Sequence, residues 1–184
     1  MSVTRANPAP ILRTDLGSIS VLSEESLGIR AARNISIGTP ASQTWVANLA
    51  VFVPFGISYP FLVREVVWYN GSVGAANIDV GVYDPLGNRQ FSLGSTAQSG
   101  TSVPQQSSGM TDITLAPGDY YLAFSCSGTT NTVFGWAPTA PLAAALGVGQ
   151  VALGSVTLTS TATIVPLTNA LLPFVALNGY TVAP

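Results

Sequence analysis

Short runs of β-branched and aromatic residues, separated by glycine, proline and other turn-forming residues, are the feature that most limits how this chain can fold. These runs begin at Trp45, and several alternate strictly between apolar and polar side chains. Val156, Leu158, Ala162 and Ile164, for example, share one side of a segment whose other side carries threonines. Successive side chains of a strand point to opposite faces, so this alternation predicts antiparallel sheets with one face in water.

Turn signals divide the chain from position 42 onward into short predicted strands joined by loops. The predicted strands are 45–53, 61–69, 77–83, 89–93, 111–115, 119–126, 131–136, 155–165 and 172–177. Only 139–147 has a helical composition, and 94–109 is a polar loop that is long for a compact domain. We therefore predict an all-β fold, an antiparallel β-sandwich that is jelly-roll-like, over 42–184, with a loop or short-helix insertion at 137–155.

Residues 1–41 differ from the rest and are predicted to form an extended N-terminal arm. Four of the six arginines of the chain lie here, at Arg5, Arg13, Arg30 and Arg33. The stretch LSEESLGIRAAR within it has the composition of a short helix. Two interpretations stay open, a loosely ordered terminus or an arm whose arginines lie at an interface with a neighbouring subunit.

The composition removes several classes of chemistry from this chain. It contains no histidine and no lysine, so it lacks a Ser-His-Asp arrangement, an imidazole metal site, a Schiff-base lysine and a Walker-type phosphate loop. Cys126 is the only cysteine, so no internal disulfide can form. A net charge of −2 argues against binding nucleic acid, which requires a basic field to displace counterions. We expect no enzyme activity and no cofactor.

Neither a membrane segment nor a secretory signal is expected. The mostly apolar stretch 137–156 contains two prolines, several glycines and Gln150, whereas a spanning helix needs about 20 strongly apolar residues. The segment MSVTRANPAP at the N-terminus is polar and is not followed by an apolar core segment.

Three aspartates in predicted strands and turns are the first candidates for a site. Asp79 belongs to an alternating strand, Asp84 heads the turn sequence DPLGN, and Asp119 follows a Pro-Gly pair. Carboxylates at such corners usually bond to nearby backbone amides, and this interpretation is preferred. A calcium site and a catalytic carboxylate pair are the alternatives, and no metal or catalytic residue is assigned.

The aromatic residues suggest a second kind of site, because flat rings stack on sugars. The parity of Tyr69, Tyr83 and Tyr121 places their side chains away from the predicted core, and we assign them as candidate glycan contacts. Cys126 shares its parity with apolar neighbours and is interpreted as a small buried hydrophobic residue.

Two sequence motifs resemble modules of structural proteins from tailed bacteriophages. One is NIDVGVYDPLG at 77–87, and the other is LAPGDYYLA at 115–123. The resemblance covers roughly residues 44–136, and the family includes head decoration (cement), head-fibre and tail-associated proteins. A looser likeness extends to secreted β-sandwich modules, including carbohydrate-binding modules. The phage resemblance implies an antiparallel sandwich with a role in the virion and without catalysis.

The sequence thus predicts a capsid decoration protein on the virion surface, made in the host cytoplasm. Its expected partners are the major capsid protein and further copies of itself. We expect a homo-oligomer and take a trimer as the working hypothesis. Binding to nucleic acid or to a membrane is not expected. The arm and the segment 137–155 are the candidates for intersubunit contact. The alternative function is a tail or head-fibre module that recognises a cell-surface glycan or receptor.

Overall fold

The computed structural model describes residues 18–20, 39–107, 110–169 and 171–181. In chain order, the elements are β1 (Ser18–Ser20), β2 (Ala41–Thr44), β3 (Leu49–Ile57), β4 (Phe61–Tyr69), β5 (Asn77–Tyr83), β6 (Arg89–Ser92), β7 (Thr96–Ala97), β8 (Pro104–Gln106), β9 (Ile113–Leu115), β10 (Gly118–Cys126), β11 (Thr132–Trp136), α1 (Ala140–Ala145), β12 (Gly149–Ala152), β13 (Val165–Pro166), β14 (Leu172–Pro173) and β15 (Val175–Thr181).

Within these ranges the strands form three sheets, and every strand pairing in them is antiparallel. The largest sheet has the order β13-β12-β3-β10-β5-β6, with β7 beside β5. A second sheet has the order β1-β15-β4-β8, with β9 beside β4, and a third has the order β14-β11-β2. The all-β, antiparallel sandwich predicted from the sequence is confirmed.

The main core lies between the two larger sheets and follows the predicted period of two. On β3, every second residue from Leu49 to Ile57 points into this core, and Leu122 and Phe124 of β10 lie beside them. The opposing sheet contributes Trp68 among other apolar residues of β4. The chain therefore builds its core from strand alternation, as its sequence indicates.

The segment 153–164 departs from the sequence prediction. The alternation of apolar residues and threonines predicts a strand at 155–165, but only Val165 and Pro166 belong to one. We call 153–164 the strap, because it crosses the outer face of the largest sheet instead of joining that sheet. Leu158 of the strap is buried and packs with Phe52 and Tyr83 in a second, smaller core. The expectation that this sheet has one face in water does not hold where the strap lies, because the strap buries that part of the face.

Other boundaries differ in smaller ways. The strand predicted at 45–53 begins only at Leu49, and the strand predicted at 172–177 is split into β14 and β15. The predicted loop 94–109 contains the short strands β7 and β8, while the predicted helical segment contains α1. Of the predicted arm, β1 and residues 39–41 are described, and Arg5, Arg13, Arg30, Arg33 and the segment LSEESLGIRAAR lie outside the described residues.

Candidate functional site

Asp79 has a structural role at the point where the strap meets the sheet. Its side chain is fully buried. The carboxylate accepts hydrogen bonds from the Ser92 hydroxyl at 2.9 and 2.8 Å, from the Gly94 amide at 3.0 Å and from the Leu158 amide of the strap at 2.9 Å. Burial raises the pKa of this carboxyl, and the three donors oppose that rise. The Asp79 carboxylate therefore holds the strap through a hydrogen bond from the strap's backbone, and it is not exposed to a substrate.

Three further side chains of the same sheet donate hydrogen bonds to backbone carbonyls of the strap. The Tyr83 hydroxyl donates to Thr159, the Ser125 hydroxyl to Val156 and the Arg89 guanidinium to Leu158. Burial raises the pKa of Tyr83 to about 12. These polar side chains point to the outer face of the sheet, which the sequence predicts to contact water. They bond instead to the strap of the same chain.

Asp84 and Asp119 do not join Asp79 in a site. The Asp84 carboxylate accepts hydrogen bonds from the backbone amides of Leu86 and Asn88, both at 2.9 Å, and from the Asn88 side chain. These bonds, led by the side-chain bond from Asn88, lower the pKa of Asp84. Asp119 is exposed. Within the described ranges, no three carboxylate or thiol groups lie together in a way that could hold a metal ion.

The three tyrosines predicted as glycan contacts are not brought together. Tyr83 is fully buried beneath the strap and offers no ring face to a sugar in this structure. Tyr121 is its cross-strand neighbour, half-buried against the same small core. Tyr69 lies at the end of β4, in a different sheet, and its hydroxyl donates to the backbone carbonyl of Ser102 at 2.9 Å.

Tyr69 instead belongs to a group of four half-buried rings that we call the aromatic face. Its members are Tyr69, Phe134, Trp136 and Phe174. The ring centroids of Tyr69 and Phe134 are 4.9 Å apart, and those of Tyr69 and Phe174 are 6.3 Å apart. Trp136 stacks on Phe174 with centroids 5.8 Å apart and an angle of 26° between the ring planes. The rings form one continuous surface where β11, β14 and the end of β4 meet.

Backbone pairing explains why these four side chains meet. The amide of Phe174 donates to the carbonyl of Phe134, and the amide of Tyr69 donates to the carbonyl of Phe174. Phe134 and Trp136 lie on the side of β11 opposite to the buried Val133, and Trp136 also packs against the margin of the main core. The alternation in TVFGW could have identified these two rings from sequence. Their neighbours Phe174 and Tyr69 depend on long-range pairing, which the sequence does not display.

The surroundings of the aromatic face are uncharged. No charged residue follows Asp119 in the chain, so β11, β14 and the loops that join them carry no ionisable acid or base. Next to β11, the hydroxyls of Ser42 and Ser72 lie 3.0 Å apart, and that of Thr132 lies 3.5 Å from Ser72. The surface therefore combines exposed ring area with neutral hydroxyl groups.

Three charged residues of the described ranges, Arg64, Glu65 and Asp112, lie at a different place, a groove of about 510 Å³ on the sheet that contains β4. The Nε atom of Arg64 lies 3.5 Å from the Oδ2 atom of Asp112 there, and both side chains are about half exposed. Glu65 accepts hydrogen bonds from the side-chain amides of Gln106 at 3.2 Å and Asn178 at 2.8 Å. The charged groups of the groove thus already have partners within the chain.

Cys126 is fully buried, as the sequence predicts, and burial raises the pKa of its thiol. A raised thiol pKa lowers the fraction of reactive thiolate at neutral pH. The helix in the described part of the chain is too short to cross a membrane.

Comparison of the chain with protein-family models, curated proteins and solved structures finds no significant match.

Proposed function

We propose that this chain is a non-enzymatic structural protein of a tailed-bacteriophage virion, a capsid decoration protein that binds across the subunits of the assembled shell. The resemblance of residues 44–136 to phage virion modules supports this role. The antiparallel sandwich is the fold that the resemblance implies. The polar groups that looked most like a site, those of Asp79, Tyr83 and Asp84, hold the strap and a turn in place.

The observation that carries the proposal is the aromatic face in its uncharged surroundings. Covering such a surface with another protein requires no ion to lose its hydration, and aromatic residues are enriched at the centres of protein interfaces. Each half-exposed ring would contribute about 1 kcal/mol of additional apolar burial on contact. Helix α1, which is exposed on its outer side, follows Trp136 by only a few residues, so the predicted contact segment 137–155 begins beside this face.

The proposed mechanism is thermodynamic. A protein that binds the assembled shell, and not its separated subunits, adds its binding free energy to the stability of the shell. Because the contact is apolar and neutral, its affinity should change little between low and high salt, whereas a contact made by charges should weaken.

The test is binding of the purified chain to expanded empty capsids. We expect the paired substitution Trp136→Ser and Phe174→Ser to weaken shell binding by roughly tenfold or more, as expected for central aromatic contacts. Tyr59→Ser is the matched control, since Tyr59 is 59% exposed and lies outside the aromatic face. Unchanged binding by the paired variant would exclude the aromatic face as the contact. A copy number of only a few per virion would contradict the decoration role itself.

A glycan-binding module of a tail or head fibre is the second candidate function. Its support is the same set of rings together with a free donor, because the indole N–H of Trp136 has no acceptor among the described residues, whereas those of Trp45 and Trp68 each have one. A glycan array separates the two functions. Binding to a neutral sugar that is lost in Trp136→Ser, together with no affinity for capsids, would favour the glycan module.

A further inference from the structure

The edge of the sheet that contains β15 is completed by a strand from the far end of the chain. Strand β15 pairs with β4 on one side and with β1 on the other. The register of the second pairing joins Ser18 to Asn178, Ile19 to Leu177 and Ser20 to Ala176. Since β1 has three residues and β15 has seven, β1 covers only part of this edge.

The link between β1 and the rest of the fold is long. Residues 21–38 separate β1 from the point at which the described chain resumes, and the strand that follows, β2, belongs to the third sheet. A link of this length can extend to about 60 Å. A domain of this size has a diameter of roughly 40 Å. The link is therefore long enough for β1 to reach the β15 edge of an adjacent copy.

We propose that Ser18–Ser20 of one copy pairs with the β15 edge of a second copy, so that neighbouring copies are joined by exchanged arms. The hydrogen bonds are the same whether β1 pairs within its own chain or with a neighbour, so the two arrangements differ only in the connecting link. Exchange of an identical element between copies is a low-cost route to assembly. High local concentration, as on a crowded surface, favours the exchanged form. The inference concerns self-assembly and does not depend on the virion role.

Single cysteines placed at a register pair test this pairing. The background is Cys126→Ala, which removes the only native thiol. One chain carries Ser18→Cys and a size tag, and a second, untagged chain carries Asn178→Cys. Directly opposed residues of antiparallel strands have Cα atoms about 4.5–5.5 Å apart, which suits a disulfide. After the two chains are mixed at high concentration and mildly oxidised, we expect a disulfide-linked product of one tagged and one untagged chain.

Two controls separate register pairing from random collision. Leu86→Cys replaces Asn178→Cys in the first, because Leu86 is 85% exposed and lies in the turn between β5 and β6 of another sheet. The second adds Ile19→Pro to the tagged chain, which removes a backbone donor of β1 and should abolish the mixed product while the sandwich stays folded.

The result for a chain that carries both Ser18→Cys and Asn178→Cys completes the test. An internal disulfide in this chain, with no mixed product from the separate chains, would show that β1 pairs only within its own chain and would overturn the proposal. Absence of both products would overturn it as well, because β1 would then not pair with β15 at all.

Discussion

Asp79 illustrates how one buried carboxylate can hold an irregular segment on a sheet. Its oxygens accept from two backbone amides and one hydroxyl, and one of those amides belongs to the strap. An unsatisfied buried donor costs about 1–3 kcal/mol. We expect Asp79→Ala to lower the free energy of unfolding by about 2 kcal/mol, measured by urea denaturation at pH 7. Asp119→Ala is the control and should change the free energy of unfolding by less than about 0.5 kcal/mol, because Asp119 is exposed.

The pH dependence of the same variant gives an independent check. Burial raises the pKa of Asp79 in the folded protein above its ordinary value of 3.8. A raised pKa means that the folded state binds this proton more tightly than the unfolded state does. The stability that this proton contributes is complete below pH 3.8 and is lost as the pH rises through the raised pKa. The loss of stability in Asp79→Ala should therefore be larger near pH 4 than at pH 7, and an equal loss at both would contradict the burial of this group.

Gly87 makes the closest backbone approach between the turn and the strap. Its φ is +83°, and a Cβ at this position would lie 2.1 Å from the carbonyl oxygen of Ala162. Gly94 has a similar φ of +75° but has nothing within 4 Å of that position. Both substitutions to alanine carry the cost of the left-handed backbone, about 1 kcal/mol. We expect Gly87→Ala to cost at least about 1–2 kcal/mol more than Gly94→Ala in thermal or urea unfolding, and equal costs would mean that the strap does not contact the turn.

Among the elements, the strap shows where sequence pattern and structure separate. Period-two alternation correctly predicts β4 and β5, whose observed bounds match the predicted ones. The strap has the same alternation but is irregular in structure. Its apolar side chains face the second core, and its threonines are exposed. A strand needs a partner edge, and within the described residues the strap has only the single bridge between Thr161 and Asn88, which lies just before β6. The alternation therefore reports which side of the segment is buried, while long-range pairing decides whether it becomes a strand.

Hydrogen exchange of the strap distinguishes these two arrangements. The described bonds satisfy the amide of Leu158, which donates to Asp79, and that of Ala162, which donates to the carbonyl of Gly87 at 2.8 Å. We expect these two amides to exchange slowly and the amides of Thr157 and Thr163 to exchange much faster. Protection of every second amide along the whole segment would instead indicate a continuous strand and contradict the structure.

For the molecule as a whole, the distribution of charge is uneven. Of the charged residues in the described ranges, Arg64, Glu65 and Asp112 lie at one groove, and none follows Asp119. A composition with only six basic and eight acidic residues indicates a surface poor in charge. The positions of those charges and of the aromatic face depend on how distant strands meet. Likewise, the burial of Cys126 and the turn at Asp84 can be predicted from the local sequence. The burial of Asp79 and Tyr83 cannot, because it depends on the strap, which lies far along the chain.

Because so few charges contribute, the stability of the fold should depend little on ionic strength. The ion pair of Arg64 with Asp112 is about half exposed on both sides, and such pairs contribute roughly 0–1 kcal/mol. We expect the urea midpoint to change only slightly between low salt and about 0.5 M sodium chloride. The variant Arg64→Ala should change the free energy of unfolding by less than about 1 kcal/mol at either concentration. A marked fall in stability with salt would contradict this distribution of charge.

The strap also has a consequence for the order of events during synthesis. Strands β3, β5 and β10 all leave the ribosome before residue 153, so the sheet can form while Phe52 and Tyr83 still lack the segment that covers them. A nascent chain at that stage would present an uncovered aromatic surface to chaperones and to other nascent chains. Messages truncated just before the strap should accordingly yield aggregates, whereas the full-length message, which also supplies β14 and β15, should yield soluble protein.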